Sequence, residues 1–364
     1  MEILNLHLLN FRNFLTKRIE FSPKLTVIIG PNGSGKSNIL EAIGLLSAIK
    51  STRVQTDYDL VKFGKTEAKI EARLRQGFGG QGKADTGELK NLTINFQVID
   101  ELYVKKAYFI DSVKKRLIDL SDFLSLVVFG PSDLDLVTGS PSIRRHHLDS
   151  ELASIDRNYW RAISGYNKVI VRRNRVLQRI SEGFSKPPEL DFWDERLIAH
   201  AKFISQKRQE FFEFLNFVEP TFAKTSGKTA KWLVDLSWVL KPSLVNEEKL
   251  SRNRERDIAA GMTLSGPHRD DFQFVYRSRN LEFFGSRGEQ RMAVLALKLA
   301  ELEFYSVKRQ TRPILALDDI FSELDWEHRE AVLSVIGKQQ TIITAAEKDS
   351  VPKKLLKNAK LISL

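Results

Sequence analysis

Eight consecutive residues, Gly30-Pro31-Asn32-Gly33-Ser34-Gly35-Lys36-Ser37, have the composition of a phosphate cradle. They fit the pattern G-x-x-x-x-G-K-[ST], whose glycines let main-chain N–H groups approach phosphate oxygens with no Cβ in the way. Lys36 adds a charge that reaches the β- and γ-phosphates, and Ser37 a hydroxyl suited to Mg²⁺. Two carboxylates stand far downstream, Asp318 and Asp319, at the end of the apolar run Ile314-Leu315-Ala316-Leu317. Beside a phosphate cradle, such an acid orients the metal shell, and Asp318 is the candidate for that role. Asp319, one residue on, is the candidate for orienting or activating the attacking water. A third group, Ser286-Arg287-Gly288-Glu289-Gln290, opens an apolar helix. Ser286 and Gly288 at a helix start leave free N–H groups at the positive end of the dipole, a second anion site. An ordinary serine N-cap gives the same pattern.

These groups need strands and helices to hold them. Leu25–Ile29 is a short apolar run rich in β-branched residues, and Asn38–Leu46 has helical apolar spacing, so the cradle reads as strand, turn and helix start. Leu4, Leu6 and Leu8 share one face of a strand, with Lys17–Phe21 as its hairpin partner. Residues 68–75 and 91–99 alternate cleanly, and residues 102–110, 115–118 and 124–129 supply further strands. The glycine-rich stretch 76–87 reads as a polar hairpin tip, because it lacks the Lys-Ser and helix start of a second phosphate loop. From about Ser142 to Val218 the helical period dominates. Ala162, Tyr166, Val169, Ile170, Leu177 and Ile180 trace one apolar face, Trp193 to Val218 trace another, and Pro187-Pro188 separates them. From Met262 the α/β pattern returns. The expected fold class is therefore α/β with mixed sheets, carrying an inserted, mainly helical arm at 141–260 between head segments 1–140 and 261–364.

The chain has 57 Lys and Arg against 46 Asp and Glu, a formal net charge of +11. That balance suits nucleic acid or anionic lipid. Between Arg157 and Ile180 lie seven basic residues and no acid, with Tyr159, Trp160 and Tyr166 interleaved. On a helix they form a positive stripe, and Arg172, Arg173 and Arg175 are the candidates for DNA phosphate contact, a plain solvated face being the alternative. There is no cysteine, which excludes disulfides and thiolate metal sites and fits a reducing cytoplasm. No apolar run approaches the ~18 residues of a membrane span, and no secretory leader is expected ahead of the first strand.

The order of the motifs is a phosphate loop, a Ser-x-Gly-x-Gln helix, an Asp-Asp strand, then Ser322-Glu323-Leu324-Asp325. This order resembles that of an ABC-type ATPase head. The resemblance implies ATP and Mg²⁺ as ligands, with Ser286, Gly288 and Gln290 reaching the γ-phosphate on an opposite subunit and Asp325 joining the nucleotide pocket. It therefore also implies an ATP-dependent homodimer. Over nearly its whole length the chain resembles the RecF family of bacterial recombinational-repair ATPases. The likeness rests on Asn10-Phe11-Arg12-Asn13-Phe14, the phosphate loop with Asn38 after it, Phe129–Val137, Gly139-Ser140-Pro141, Arg144-Arg145, Trp193-Asp194 and Ser265–Asp271. It implies that Arg12 and Asn38 join Gly30–Ser37 around ATP. It also implies slow hydrolysis, DNA binding to duplex or gapped DNA, RecR, RecO and a recombinase as partners, no membrane, and a cytoplasmic bacterial setting.

The sequence departs from the family pattern at Arg287 and Glu289, where glutamines are usual, and at Thr344-Ala345-Ala346, where the loop is usually threonine-rich. Asp319 is one methylene shorter than the glutamate of fast ABC ATPases. Two other readings compete. One is the nucleotide-binding subunit of a transporter, opposed by the basic arm and by the lack of a switch histidine after Thr344. The other is an SMC-type head, whose long coiled coils need sustained heptads.

Overall fold

The computed structural model describes residues 1–47, 56–76, 87–100, 103–217, 235–322 and 326–364. These fall into two compact units, one drawn from residues 1–133, 235 and 291–364, the other from 134–217 and 236–290.

In the first unit, β1 (Glu2–Phe11), β2 (Phe14–Glu20), β4 (Glu67–Gln76), β5 (Glu88–Val98), β6 (Val104–Ile110) and β7 (Val113–Lys115) form an antiparallel sheet in the order β2-β1-β4-β5-β6-β7. A second sheet is wholly parallel, in the order β14-β3-β13-β12-β8. Its members are β3 (Leu25–Ile29), β8 (Leu126–Phe129), β12 (Ile314–Asp318), β13 (Thr341–Ala345) and β14 (Lys360–Ser363). Val27, Ile28, Leu315, Ala316, Ile342 and Ile343 are all buried. Continuous apolar strands are what a parallel sheet covered on both faces demands. Helix α1 (Lys36–Leu46) follows β3 at once and buries Ile39, Leu40 and Ile43. The register sets Asp318 opposite Thr344, and Thr344 opposite Ile28. The carboxyl ends of β3, β12 and β13 therefore lie side by side, the place where open α/β sheets bind ligands.

Two local expectations change. A register shift between Ile3 and Asn5 breaks the alternation of β1, so Ile3, Leu6, Leu8 and Phe11 are its buried residues and Leu4 is only half-buried. The strand expected at 115–118 ends at Lys115, and a helical turn, Leu117–Leu120, follows. Its start is fixed by the Asp119 carboxylate, which accepts the Arg116 N–H at 2.9 Å. The stretch 76–87 lies, beyond Gln76 and Gly87, outside the described residues.

The second unit holds α2 (Pro141–Ile155), α3 (Arg157–Ser181), α4 (Asp191–Phe217), α5 (Glu247–Ala260) and a small sheet of β9 (Leu236–Lys241), β10 (Asp271–Tyr276) and β11 (Arg279–Asn280). Because β10 pairs antiparallel with β9, residues 261–290 close with the helices, although their pattern placed them in the head. Buried ions hold this unit together. Arg208 donates to Asp149, Asp270, the Tyr159 hydroxyl and the Pro267 carbonyl, and Arg144 forms a two-point pair with Asp271. His268 bridges Tyr166 and the Thr263 carbonyl, and burial lowers its pKa. Gly266–Asp271 is thus a packed charge cluster.

Candidate nucleotide site and basic helix face

The phosphate loop has the backbone its glycines allow. Gly35 sits at φ +103°, and a Cβ there would collide with the Phe14 ring and the Asn13 side chain, so no other residue fits. Lys36 is buried, and its Nζ donates to the carbonyls of Gly30 at 2.7 Å and Pro31 at 3.1 Å, which draws the ammonium across the loop it serves. Asn13 steadies the loop from outside. Its amide donates to the Ser34 carbonyl at 3.1 Å, and its carbonyl oxygen accepts from Asn38 at 2.9 Å. Beside Gly30-Pro31-Asn32 lies an open pocket of about 490 Å³, lined also by Ala346-Glu347 and Ser363-Leu364.

Ser37 and Asp318 meet, the serine hydroxyl donating to the aspartate Oδ1 at 3.0 Å. A hydroxyl and a carboxylate side by side are hard oxygen ligands of the kind Mg²⁺ takes. Thr344 completes the group: its hydroxyl donates to the same Asp318 Oδ1 at 2.7 Å, and its Oγ1 and carbonyl accept the Asp319 N–H at 3.1 and 3.2 Å. The sequence alone did not single out Thr344 as a site residue. The available signal was its place at the carboxyl end of an apolar strand that neighbours the Asp318 strand. Asp319 has φ +52°, and its Oδ1 is buried with no hydrogen-bond partner among the described residues.

Arg12, also at positive φ, forks onto Glu41 with bonds of 2.8 and 2.9 Å and donates a third to the Asp59 carbonyl. Three of its five N–H groups are thus engaged within the protein. Asp325 lies outside the described residues.

The second unit carries the start of α6 (Arg287–Arg309). Glu289 accepts from both the N–H and the hydroxyl of Ser286 at 2.8 Å, and Ser286 Oγ accepts the Glu289 N–H at 3.3 Å. This is a reciprocal capping box. A carboxylate already engages the donors of the serine assigned to phosphate. Gln290, grouped with the nucleotide ligands from sequence, is buried instead and donates to the Leu281 carbonyl at 2.9 Å, so it anchors the preceding turn. Gly288 faces open space, with nothing within 4 Å of an added Cβ.

The basic stripe on α3 needs one correction. Arg173 is fully buried and pairs with Asp194 and Asp257 at 2.7 Å each, so it is unavailable to DNA. Its position follows the apolar spacing through Tyr166, Val169 and Leu177, which was the legible signal. Arg161, Lys168, Arg172, Arg175 and Arg179 are exposed and recur at helical intervals of three, four or seven. They form one line along about 27 Å of helix.

The chain matches the family model described as the RecF/RecN/SMC N terminal domain over residues 2–361. It is 36% identical over 370 residues to the DNA replication and repair protein RecF of Moorella thermoacetica, covering all of this chain and 95% of that protein. It is 35% identical over 376 residues to the protein of the same name from Bacillus cytotoxicus, covering all of this chain and 96% of that one. A solved structure of the recombination mediator protein RecF with ATP, from the RecFOR pathway, superposes with TM-score 0.82 at 28% identity, over 96% of this chain and 93% of that one. An Smc head domain from Pyrococcus furiosus, 20% identical with TM-score 0.52 over 99% of this chain and 92% of that one, shares the fold.

Proposed function

From the premise that this chain belongs to the RecF family, an ATPase family of recombinational repair, we propose that ATP closes two copies of it face to face on DNA and that slow cleavage releases them. The observation that carries the reading is the meeting of Ser37 and Asp318, 281 residues apart in sequence, at 3.0 Å beside the phosphate loop.

The loop amides of Gly30–Ser37 bind the α- and β-phosphates, and Lys36 exchanges its two carbonyl contacts for β- and γ-phosphate oxygens. Ser37 and Asp318 would hold Mg²⁺, which when bound neutralises charge developing on the phosphates. Thr344 keeps Asp318 oriented, and Asp319 positions the water for attack on the γ-phosphorus. Ser286 and Gly288 of a second copy supply N–H donors to that γ-phosphate once Glu289 swings off the serine. Gly30 to Asn38, Arg12 and Asp325 make up the rest of the pocket on this reading. Replacing Lys36 with alanine is expected to weaken ATP binding roughly 10- to 150-fold, as loss of a charge-assisted hydrogen bond of about 1.5–3 kcal/mol does. The ATP-dependent rise in sedimentation coefficient should vanish with it. Full-speed turnover by a strict monomer would overturn the dimer.

DNA is held by the line of exposed cations on α3. Reversing Arg172 and Arg175 to glutamate should weaken duplex binding and reduce the dependence of log Kd on log salt by about 0.9 for each phosphate no longer neutralised. Binding and salt slope equal to those of the parent would remove α3 from the interface. Charge supports this reading over a bare solvated face, since no acid interrupts the stripe. RecR, RecO and a recombinase acting on gapped DNA are the proposed protein partners, by family membership. Among the described residues no helix is long and apolar enough to cross a membrane. The proposed setting is cytoplasmic, and family membership sets aside the transporter reading.

A further inference from the structure

We propose that the Glu289 carboxylate is a built-in competitor for the γ-phosphate, the residue that makes the meeting of two copies demand a triphosphate; this rests on the nucleotide and dimer readings above. Glu289 Oε2 accepts both the Ser286 N–H and the Ser286 hydroxyl, each at 2.8 Å. Those are the two serine donors offered to the γ-phosphate of a second copy. An anionic oxygen of the same chain therefore already stands within hydrogen-bond distance of both.

The surroundings hold the serine and leave the acid free to move. The Gln290 N–H donates to the Ser286 carbonyl at 2.9 Å, and the Gln290 side chain fastens the preceding turn through the Leu281 carbonyl. The Gly285 N–H closes that turn on the same carbonyl at 3.1 Å. Glu289 is half-buried, and among the described residues its carboxylate has no Lys or Arg partner and is tied to Ser286 alone. Ser286 and Gly288 are exposed, and a Cβ added to Gly288 would meet nothing within 4 Å, so the approach to the serine donors is open.

Charge decides what displaces the acid. When Glu289 leaves, Ser286 loses two hydrogen bonds to a charged acceptor, and an acceptor of comparable charge is needed to replace them. A terminal phosphate brings that charge. A diphosphate ends one phosphate short of the serine, and the acid stays in place. While it stays, its negative charge also repels an incoming phosphate. After cleavage the same acid recaps the serine, which favours separation of the copies.

The test measures the Kd of dimerisation by sedimentation of the full chain with Mg²⁺, in ATP and in ADP, for the parent and for Glu289→Gln. ATP affinity of the monomer is measured separately, at low protein concentration. Glutamine keeps a side-chain acceptor for the capping box and removes the charge. It is expected to tighten the ATP-bound dimer roughly 2- to 30-fold, the range of a capping interaction, with monomer ATP affinity and the ADP state as in the parent. The gain should shrink as ionic strength rises from roughly 0.05 M to roughly 1 M, because it comes from relief of charge repulsion. An ATP-bound dimer no tighter in Glu289→Gln than in the parent overturns the assignment. A weaker dimer overturns it by making Glu289 a contact between copies. A gain that ignores salt, or that is equal in ATP and ADP, traces to the helix start alone and overturns it as well. A parent chain that binds ATP but stays monomeric removes the dimer reading, and one that binds no ATP removes the nucleotide reading; the competitor falls with either.

Discussion

Asp319→Asn is expected to lower ATP turnover about 10²–10⁴-fold while ATP affinity stays near that of the parent. The carboxylate has one buried oxygen, Oδ1, with no hydrogen-bond partner among the described residues. An unsatisfied buried acceptor costs about 1–3 kcal/mol, and on the proposed reading this oxygen is the one that takes the attacking water. The backbone adds to the argument. Asp319 has φ +52°, a region that Asn enters almost as readily as Asp, and its N–H is fixed by Thr344. The amide therefore replaces the proposed base without moving the chain, whereas Asp319→Ala would add backbone strain. Phosphate release measures the first effect. Sedimentation with ATP measures the second, because a variant that binds without cleaving should accumulate as the ATP-bound dimer. Normal turnover in Asp319→Asn would place the base elsewhere. The short Asp side chain, in place of a longer glutamate, accords with the slow hydrolysis proposed for the parent chain.

Arg173→Ala is expected to destabilise the second unit by about 3–5 kcal/mol, the range for breaking a buried ion pair by removing one partner. Arg173 gives its Nε–H to Asp194 and its Nη1 hydrogens to Asp257 and Thr263. Asp257 is fully buried, so among the described residues the variant would leave its carboxylate with the Leu264 N–H alone against it. Asp194 suffers less, because Arg254 also reaches it at 3.0 Å. The neighbouring Arg172→Ala is exposed and should change stability by no more than about 0.5 kcal/mol. Urea denaturation separates the two, and equal midpoints for both variants would sink the distinction. The pair also guards the DNA experiment, since a charge reversal at Arg173 would abolish binding by unfolding the arm and say nothing about phosphate contact.

Family membership, an ATPase head of α/β class and the nucleotide chemistry were all legible in the sequence. Motifs of this kind are local: strand β3, the glycine turn and the start of α1 are contiguous, so their covalent order already fixes their geometry. That Arg172 and Arg175 lie exposed on one side of α3 was legible for a related reason, because helical spacing alone puts them there.

Contacts between distant segments were not legible. Ser37 meeting Asp318, and Thr344 holding Asp318 and Asp319, depend on β12 and β13 lying with β3 in one parallel sheet, an arrangement no local pattern encodes. Arg173 and Gln290 moved from site to scaffold because burial is a property of the packed unit. The same residue types at the same spacing serve solvent or core according to what covers them. Sequence determined which groups have the chemistry to touch a triphosphate or DNA; tertiary structure decided which of them are built into the scaffold, since Arg173 between two buried carboxylates and Gln290 on a buried carbonyl are covered by the unit they hold together.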